Sequence, residues 1–290
     1  MKDKTLVIDG MALLFRHFYA TSFRNQFMIN NKNIPTNGIQ GLIRHTMKLV
    51  ELTRPENMVI TWDMGKDTIR NEWFKDYKAN RTAPPDDMIP QFDYVKEIIH
   101  DMGFYQLGIH GYEADDIIGT LSVNYDDLII VSGDRDLLQL LGKNNDIWLT
   151  KKGFTEYHYY NEQNFMDEYD ITPEQFVDVK ALMGDSGDGY YGVKGIGEKT
   201  ALKLIREYKN VENIIENIDS LSKGLQTKIL NDMSSLQMSH KLAKIITDVE
   251  FSHDEYMEHR KLIIDKEKID QTLASHDLRI TQKYLHTLNI

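Results

Sequence analysis

Three short apolar runs, each ending in aspartate, constrain this chain more than any other feature. Thr5 to Ile8 ends in Asp9-Gly10, and Met58 to Trp62 ends in Asp63. Leu128 to Val131 runs into Ser132-Gly133-Asp134-Arg135-Asp136, and Ile147 to Thr150 is a fourth candidate strand. Helical patterns lie between them, over Gly38–Thr53, Met88–Met102 and Ala114–Val123. Continuous apolar strands alternating with helices predict an α/β fold with a mostly parallel central sheet covered by helices on both faces. Ligands of such sheets bind beyond the carboxyl ends of the strands. The aspartates fall there.

A loop-rich stretch over 71–91 separates the second strand from the next helix. After Thr172 the pattern changes. Thr172-Pro173-Glu174 reads as a helix start, with Thr as N-cap and Pro at the first helical position. Helical segments follow near 174–184, 198–208, 211–218, 224–232 and 235–246. The expected organisation is an α/β core over 1–172 and a helical region over 173–290 that packs against it. Internal repeats and low-complexity tracts are absent from the sequence.

Composition narrows the chemistry. With 41% hydrophobic residues the chain is too apolar for disorder. It has no cysteine, which excludes disulfides, thiolate metal sites and cysteine nucleophiles. No apolar run is long enough for a signal peptide or a membrane span, so the expectation is a soluble, cytoplasmic protein with no membrane partner. The net charge of −11 argues against a phosphate-rich partner only if the charge is evenly spread. Two bound divalent ions would bring −11 to −7.

The acids at strand ends and helix starts are Asp9, Asp63, Glu113, Asp115, Asp116, Asp134, Asp136, Asp185 and Asp188. Singly, each has an ordinary explanation, such as the helix dipole for Glu113-Ala-Asp-Asp116 or a solvated turn for Asp63. Together they would repel unless a cation held them. An oxygen-only set without histidine or cysteine favours Mg²⁺ or Mn²⁺, and two such ions can flank a phosphodiester. The histidines offer no HExxH spacing, and His17, His45 and His100 read as scattered helix or surface residues.

Gly192-Val-Lys-Gly195-Ile-Gly197 lacks the dinucleotide spacing GxGxxG, and no GxxxxGK[ST] occurs. Followed by Glu198-Lys199-Thr200 and the periodic Ala201, Leu204 and Ile205, it fits a helix-hairpin-helix over about 174–208. There, backbone N–H groups and a helix N-terminus can hold a phosphate without reading bases. An ordinary helix–helix turn using glycine for positive φ is the plainer reading.

In order and spacing, VIDG, TWDMG, GYEADD, SGDRD, MGDSGD and GVKGIGEKTA together resemble the flap endonuclease / 5′-nuclease family. That family includes the 5′-nuclease domain of bacterial DNA polymerase I, stand-alone bacterial 5′-3′ exonucleases and phage flap endonucleases. No polymerase domain follows Ile290, so the stand-alone type is expected. The resemblance implies a structure-specific 5′ nuclease that removes flaps or primers in replication and repair.

It further implies two metal sites. Asp9, Asp63, Glu113, Asp115 and Asp116 gather around the first, and Asp134, Asp136, Asp185 and Asp188 around the second. It implies a helical arch or clamp near 71–92, where Tyr77, Lys78 and Arg81 match a YK..R pattern and Arg16 matches a basic residue after the first motif. Lys78 is expected to stabilise a pentavalent phosphate and Tyr77 to stack on a base. For Arg16, Arg70 and Lys75, solvated charge competes with strand contact. Gly192, Val193, Lys194, Gly195, Ile196, Gly197, Lys199 and Thr200 are the expected duplex contacts, with room for a K⁺ held by carbonyls. The expected partner of this monomer is branched or 5′-ended DNA, RNA-primer hybrids included. The competing readings are a PIN-type ribonuclease and a non-catalytic binder of branched DNA.

Overall fold

The computed structural model describes residues 4–23 and 27–290. Its sheet has six strands: β1 (Thr5–Asp9), β2 (Asn57–Thr61), β3 (Gln106–Leu107), β4 (Leu128–Ser132), β5 (Asn145–Lys152) and β6 (Glu156–Tyr160). Their order is β3-β2-β1-β4-β5-β6. All neighbours are parallel except β5 and β6. Between the strands run α1 (Gly10–Thr21), α2 (Asn37–Thr53), α3 (Ile69–Trp73), α4 (Ile89–Asp101) and α5 (Ala114–Asn124). After the sheet come α6 (Glu162–Tyr169), α7 (Phe176–Met183), α8 (Glu198–Tyr208), α9 (Val211–Glu216), α10 (Lys223–Asn231) and α11 (Met233–Ala243). The chain closes with α12 (His253–His259), α13 (Lys266–Ser275) and α14 (Arg279–Leu285).

The two-residue strand period sends alternate side chains to opposite faces. Leu6, Ile8, Met58, Ile60, Ile129 and Val131 pack in one core with helical residues such as Leu14, Ile43 and Ile98. Val7, Val59 and Ile130 pack in the other, with Ile117, Val179 and Ile205. Both faces are therefore apolar, and the strand ends alone are left for chemistry.

Thr172 caps the helical region as its sequence indicates: its side chain and that of Gln175 form a reciprocal box around Pro173. Five features differ from expectation. β3 is too short to leave a pattern, and β6 hides in the aromatic run Glu156–Tyr160, whose Tyr157 and Tyr160 point inward. The C-terminal region is split between the faces. Leu273, Leu278 and Leu285 join the core of α2 and α4, where Thr281 donates to Gln40 at 3.1 Å.

Residues 71–92 form no arch helix. The ends of this stretch belong to α3 and α4, and residues 74–88 between them are turns folded onto the loop after α7, with Lys78 N–H donating to the Asp188 carbonyl at 2.8 Å. Finally, His17 and His45 are not scattered. They form a buried chain, His17 Nε2 to His45 Nδ1 at 2.8 Å and His45 Nε2 to Tyr157 Oη at 2.5 Å. Burial holds both rings neutral, at about 4 for His17 and about 3 for His45.

Candidate active site

Because β1, β2 and β4 are adjacent and parallel, Asp9, Asp63 and Asp134 emerge at one edge of the sheet. Asp9 caps α1, accepting from Ala12 N–H at 2.9 Å, and its other oxygen accepts from Ser132 Oγ at 2.6 Å. Gly10 follows because a Cβ there would meet the Trp62 ring at 2.7 Å. Asp63 accepts from the first amide of α5, Ala114 N–H, at 2.7 Å, so the positive end of that helix faces the strand ends. Asp115 sits one residue further on. Among the described residues its carboxylate has neither hydrogen bond nor ion pair.

The outer acids are neutralised by cations from the turns between α3 and α4 and from α7. Glu113 binds Lys78 Nζ at 2.5 Å and the Tyr77 hydroxyl at 3.0 Å. Asp188 pairs with Arg81 and accepts from Tyr77 Oη at 3.3 Å. Lys180 bridges Asp136 and Asp185 at 2.7 and 2.6 Å. Lys78 holds this position with φ of 56°, a left-handed backbone unusual for lysine.

Four of these acids sit high. Burial raises Asp9 to about 7, against the pull of Ser132 and Ala12. Burial lifts Asp63, and burial together with Asp134 and Asp9 lifts Asp115. Burial and Asp134 hold Asp136 at about 7, outweighing Lys180. Asp185 goes the other way: burial opposes, but Lys180 and two backbone amides keep it below the usual range.

Among the described residues, no three of the nine carboxylates bring oxygens within 4.8 Å of one another. The groups that do are Glu97, Asp101 and His276, and Asp178, Glu212 and His240, elsewhere in the fold. Like charges without a shared cation stay apart. Crowded, buried and protonation-prone carboxylates with only oxygen donors fit a hard divalent ion.

Several expected roles change. Asp116 is completely buried and accepts from Glu113 N–H at 3.1 Å and Ile246 N–H at 2.9 Å. Both its oxygens also bind Arg70, at 2.7 Å each, so it positions α5 and is no metal ligand here. Arg70 is thus neither solvated charge nor strand contact. Tyr77 is buried against Trp73, Val177 and Tyr190, which leaves no ring face for a base. Arg16 donates to the Lys151 carbonyl at 2.6 Å, away from the carboxylates.

In the hairpin, Val193 and Ile196 belong to the core and offer only their backbone. Gly192 is buried, donates to Ser239 Oγ at 3.0 Å, and lies where a Cβ would come within 2.5 Å of Gly184 N. It serves packing, not phosphate. The Gly195 carbonyl accepts from Lys228 Nζ at 3.0 Å, so one of the hairpin carbonyls that could face a K⁺ already holds a cation. Lys194, Gly195, Gly197 and Lys199 are exposed, with Thr200 half-buried beside them. Arg135, between Asp134 and Asp136, binds Glu198 at 2.6 Å and so ties the hairpin to the sheet edge. Sequence reasoning missed Lys180; its signal is a lone lysine in the apolar helix FVDVKALM, five residues before Asp185.

Protons and divalent ions compete for the same raised acids. A raised folded-state pKa contributes stability below the unfolded value near 3.8, and that contribution is lost as pH rises through about 7. The melting-temperature gain from Mg²⁺ over EDTA should therefore be small near pH 4 to 5 and grow by on the order of 5–10 °C at pH 8. A gain that does not change with pH would place the ion elsewhere.

A parallel sheet with an oxygen-only acidic edge, facing a glycine hairpin with exposed lysines, is the arrangement of a phosphodiester-cleaving nuclease. Residues 4–170 match the N-terminal resolvase-like domain of 5′-3′ exonucleases, and 171–267 match their C-terminal SAM fold. A 5′-3′ exonuclease of Bacillus subtilis is 46% identical over 290 residues, covering 99% of this chain and 97% of that one. DNA polymerase I of Lactococcus lactis subsp. lactis is 39% identical over 256 residues, which are 85% of this chain and 29% of the polymerase. The T5 D15 protein co-crystallised with metal ions shares the fold at a TM-score of 0.67, with 22% identity and 98% of both chains covered. The catalytic core of Rad2 in complex with DNA substrate shares it at 0.64, with 15% identity, covering 100% of this chain and 93% of that one. The chain belongs to the 5′-3′ exonuclease family, and it is a nuclease. Membership sets aside the PIN-type ribonuclease and the non-catalytic binder. No helix among the described residues is long and apolar enough to cross a membrane.

Proposed function

We propose that this nuclease acts as a monomer on branched or 5′-ended DNA, including RNA-primed ends, and uses two divalent ions, Mg²⁺ or Mn²⁺. The observation that carries this is the contrast between Asp9, Asp63 and Asp115, which form no ion pair among the described residues, and the outer acids Glu113, Asp136, Asp185 and Asp188, each paired with a cation. Asp9, Asp63, Asp115 and Asp134 would hold the inner ion; Asp136, Asp185 and Asp188 would hold the outer one. Bound there, such ions supply a hydroxide at neutral pH and stabilise the leaving oxygen.

The chain's own residues do the rest. Lys78 and Arg81, fixed by Glu113 and Asp188, place positive charge beside the acids and orient the scissile phosphate. Among the described residues the amides of Gly195, Gly197, Glu198 and Lys199 have no acceptor, and they lead into α8. They would hold a duplex phosphate with no preference for sequence. Arg135 and Glu198 then set the distance between grip and cut.

Comparing 5′-flap, blunt duplex, and single-stranded DNA and RNA under Mg²⁺, with an EDTA control, tests the proposal. Cleavage near the flap junction that disappears with EDTA is expected; cleavage persisting in the chelator would sink it. The loop can be dissected further. Asp188→Asn should slow single-turnover cleavage at least 100-fold with little change in DNA affinity measured in Ca²⁺. Lys199→Ala should chiefly weaken binding and lower the salt slope by about 1. Equal effects of both changes on both quantities would show that grip and chemistry are not separated this way.

A further inference from the structure

Lys180 lies on α7 among apolar neighbours and is 8% exposed. Its ammonium contacts one oxygen of Asp136 and one of Asp185, at 2.7 and 2.6 Å. These two acids come from different elements, the turn after β4 and the loop after α7, and Lys180 is the only group among the described residues that ion-pairs with either. A cation thus already stands between the two carboxylates, where an oxygen-ligated divalent ion would bind at the shorter distance of about 2.1 Å. Asp9, Asp63 and Asp115 have no such resident.

We propose that Lys180 is the built-in counter-ion of the outer carboxylates and that an outer divalent ion binds only by displacing it. This rests on the two-ion reading above. The physical reasoning is direct. An ammonium and a divalent ion cannot share one point between two carboxylates, so the ion's affinity is reduced by whatever the ammonium contributes there. The inner acids lack a competitor, and they fill first. Before the outer ion arrives, Lys180 keeps Asp136 and Asp185 apart from mutual repulsion, which lets the loop fold without metal. After it arrives, the ammonium moves out toward the exposed Ser186-Gly187 turn.

Electron paramagnetic resonance titration with Mn²⁺, in the absence of DNA, counts the ions and reads both affinities. The wild-type chain should bind one ion tightly and a second at least 10-fold more weakly. Lys180→Met, which keeps the stem and removes the charge, should strengthen the second site at least 10-fold. Lys180→Arg should leave it weak. A second-site affinity for Lys180→Met within twofold of wild type would overturn the proposal. Fewer than two ions on the wild-type chain at saturation would instead overturn the two-ion reading.

A measurement on the unaltered protein covers the case in which Lys180→Met does not fold. Amine labelling by a succinimidyl ester, read by mass spectrometry, should find Lys180 protected in EDTA and modified at saturating Mn²⁺. Protection that persists at saturation would also overturn displacement.

Discussion

Replacing Asp115 with asparagine should lower single-turnover cleavage of a 5′ flap by about three orders of magnitude and, in EDTA, raise the melting temperature. The loss is the size expected when a ligand of a charge-stabilising ion is removed. The gain in stability has a separate cause. Asp115 is lifted by burial and by its neighbours Asp134, Asp9, Glu113 and Asp63, so its charge is a burden to the metal-free fold. An uncharged isostere removes that burden, the familiar opposition of stability and activity at a functional site. Melting in EDTA and cleavage in Mg²⁺ check the two halves. A variant both inactive and less stable in EDTA would mean that Asp115 is structural.

Asp116→Ala should behave in the opposite way and lower the melting temperature by on the order of 10 °C. Arg70 and Asp116 are 3% and 0% exposed at their side chains, and their fork-to-fork contact is the most buried ion pair among those described. Arg70 also donates to the carbonyls of Leu242 and Lys244. Removing the carboxylate leaves the buried guanidinium only its longer ion pair with Glu113, at 3.5 Å, at a cost of about 3–5 kcal/mol. The double change Arg70→Met with Asp116→Leu should recover much of the loss, because no lone charge then remains. If the double variant melts below both single variants, the pair acts through packing and not through charge.

These two neighbours show where sequence reading reaches its limit. Asp115 and Asp116 are adjacent and chemically identical, and motif spacing places both at the metal. The helix period turns them about 100° apart, so one faces the strand ends and the other faces Arg70, 46 positions away in the chain. The strands themselves were legible, because apolar runs ending in aspartate are local patterns. So was the cap at Thr172. Of the ion pairs that mark the outer acids, Lys78 with Glu113 and Arg81 with Asp188 join positions 35 and 107 apart. No local pattern announces them. Tyr77 misled for the same reason: its motif suggests a stacking ring, and only the fold shows Trp73 and Tyr190 covering it.

Gly184 and Gly192 carry a last consequence. A Cβ on Gly184 would fall 2.4 Å from the Tyr191 carbonyl carbon, and one on Gly192 would fall 2.5 Å from Gly184 N. The chain crosses itself here backbone to backbone, with no side chain between to act as a bearing surface. Asp185 and the hairpin that begins at Val193 are therefore a single casting: neither can slide by a residue without carrying the other. A DNA junction displaced by one nucleotide meets a gauge that will not adjust, so the accommodation has to come from bending of the nucleic acid. Uniform product length would then be a property of two missing methyl groups.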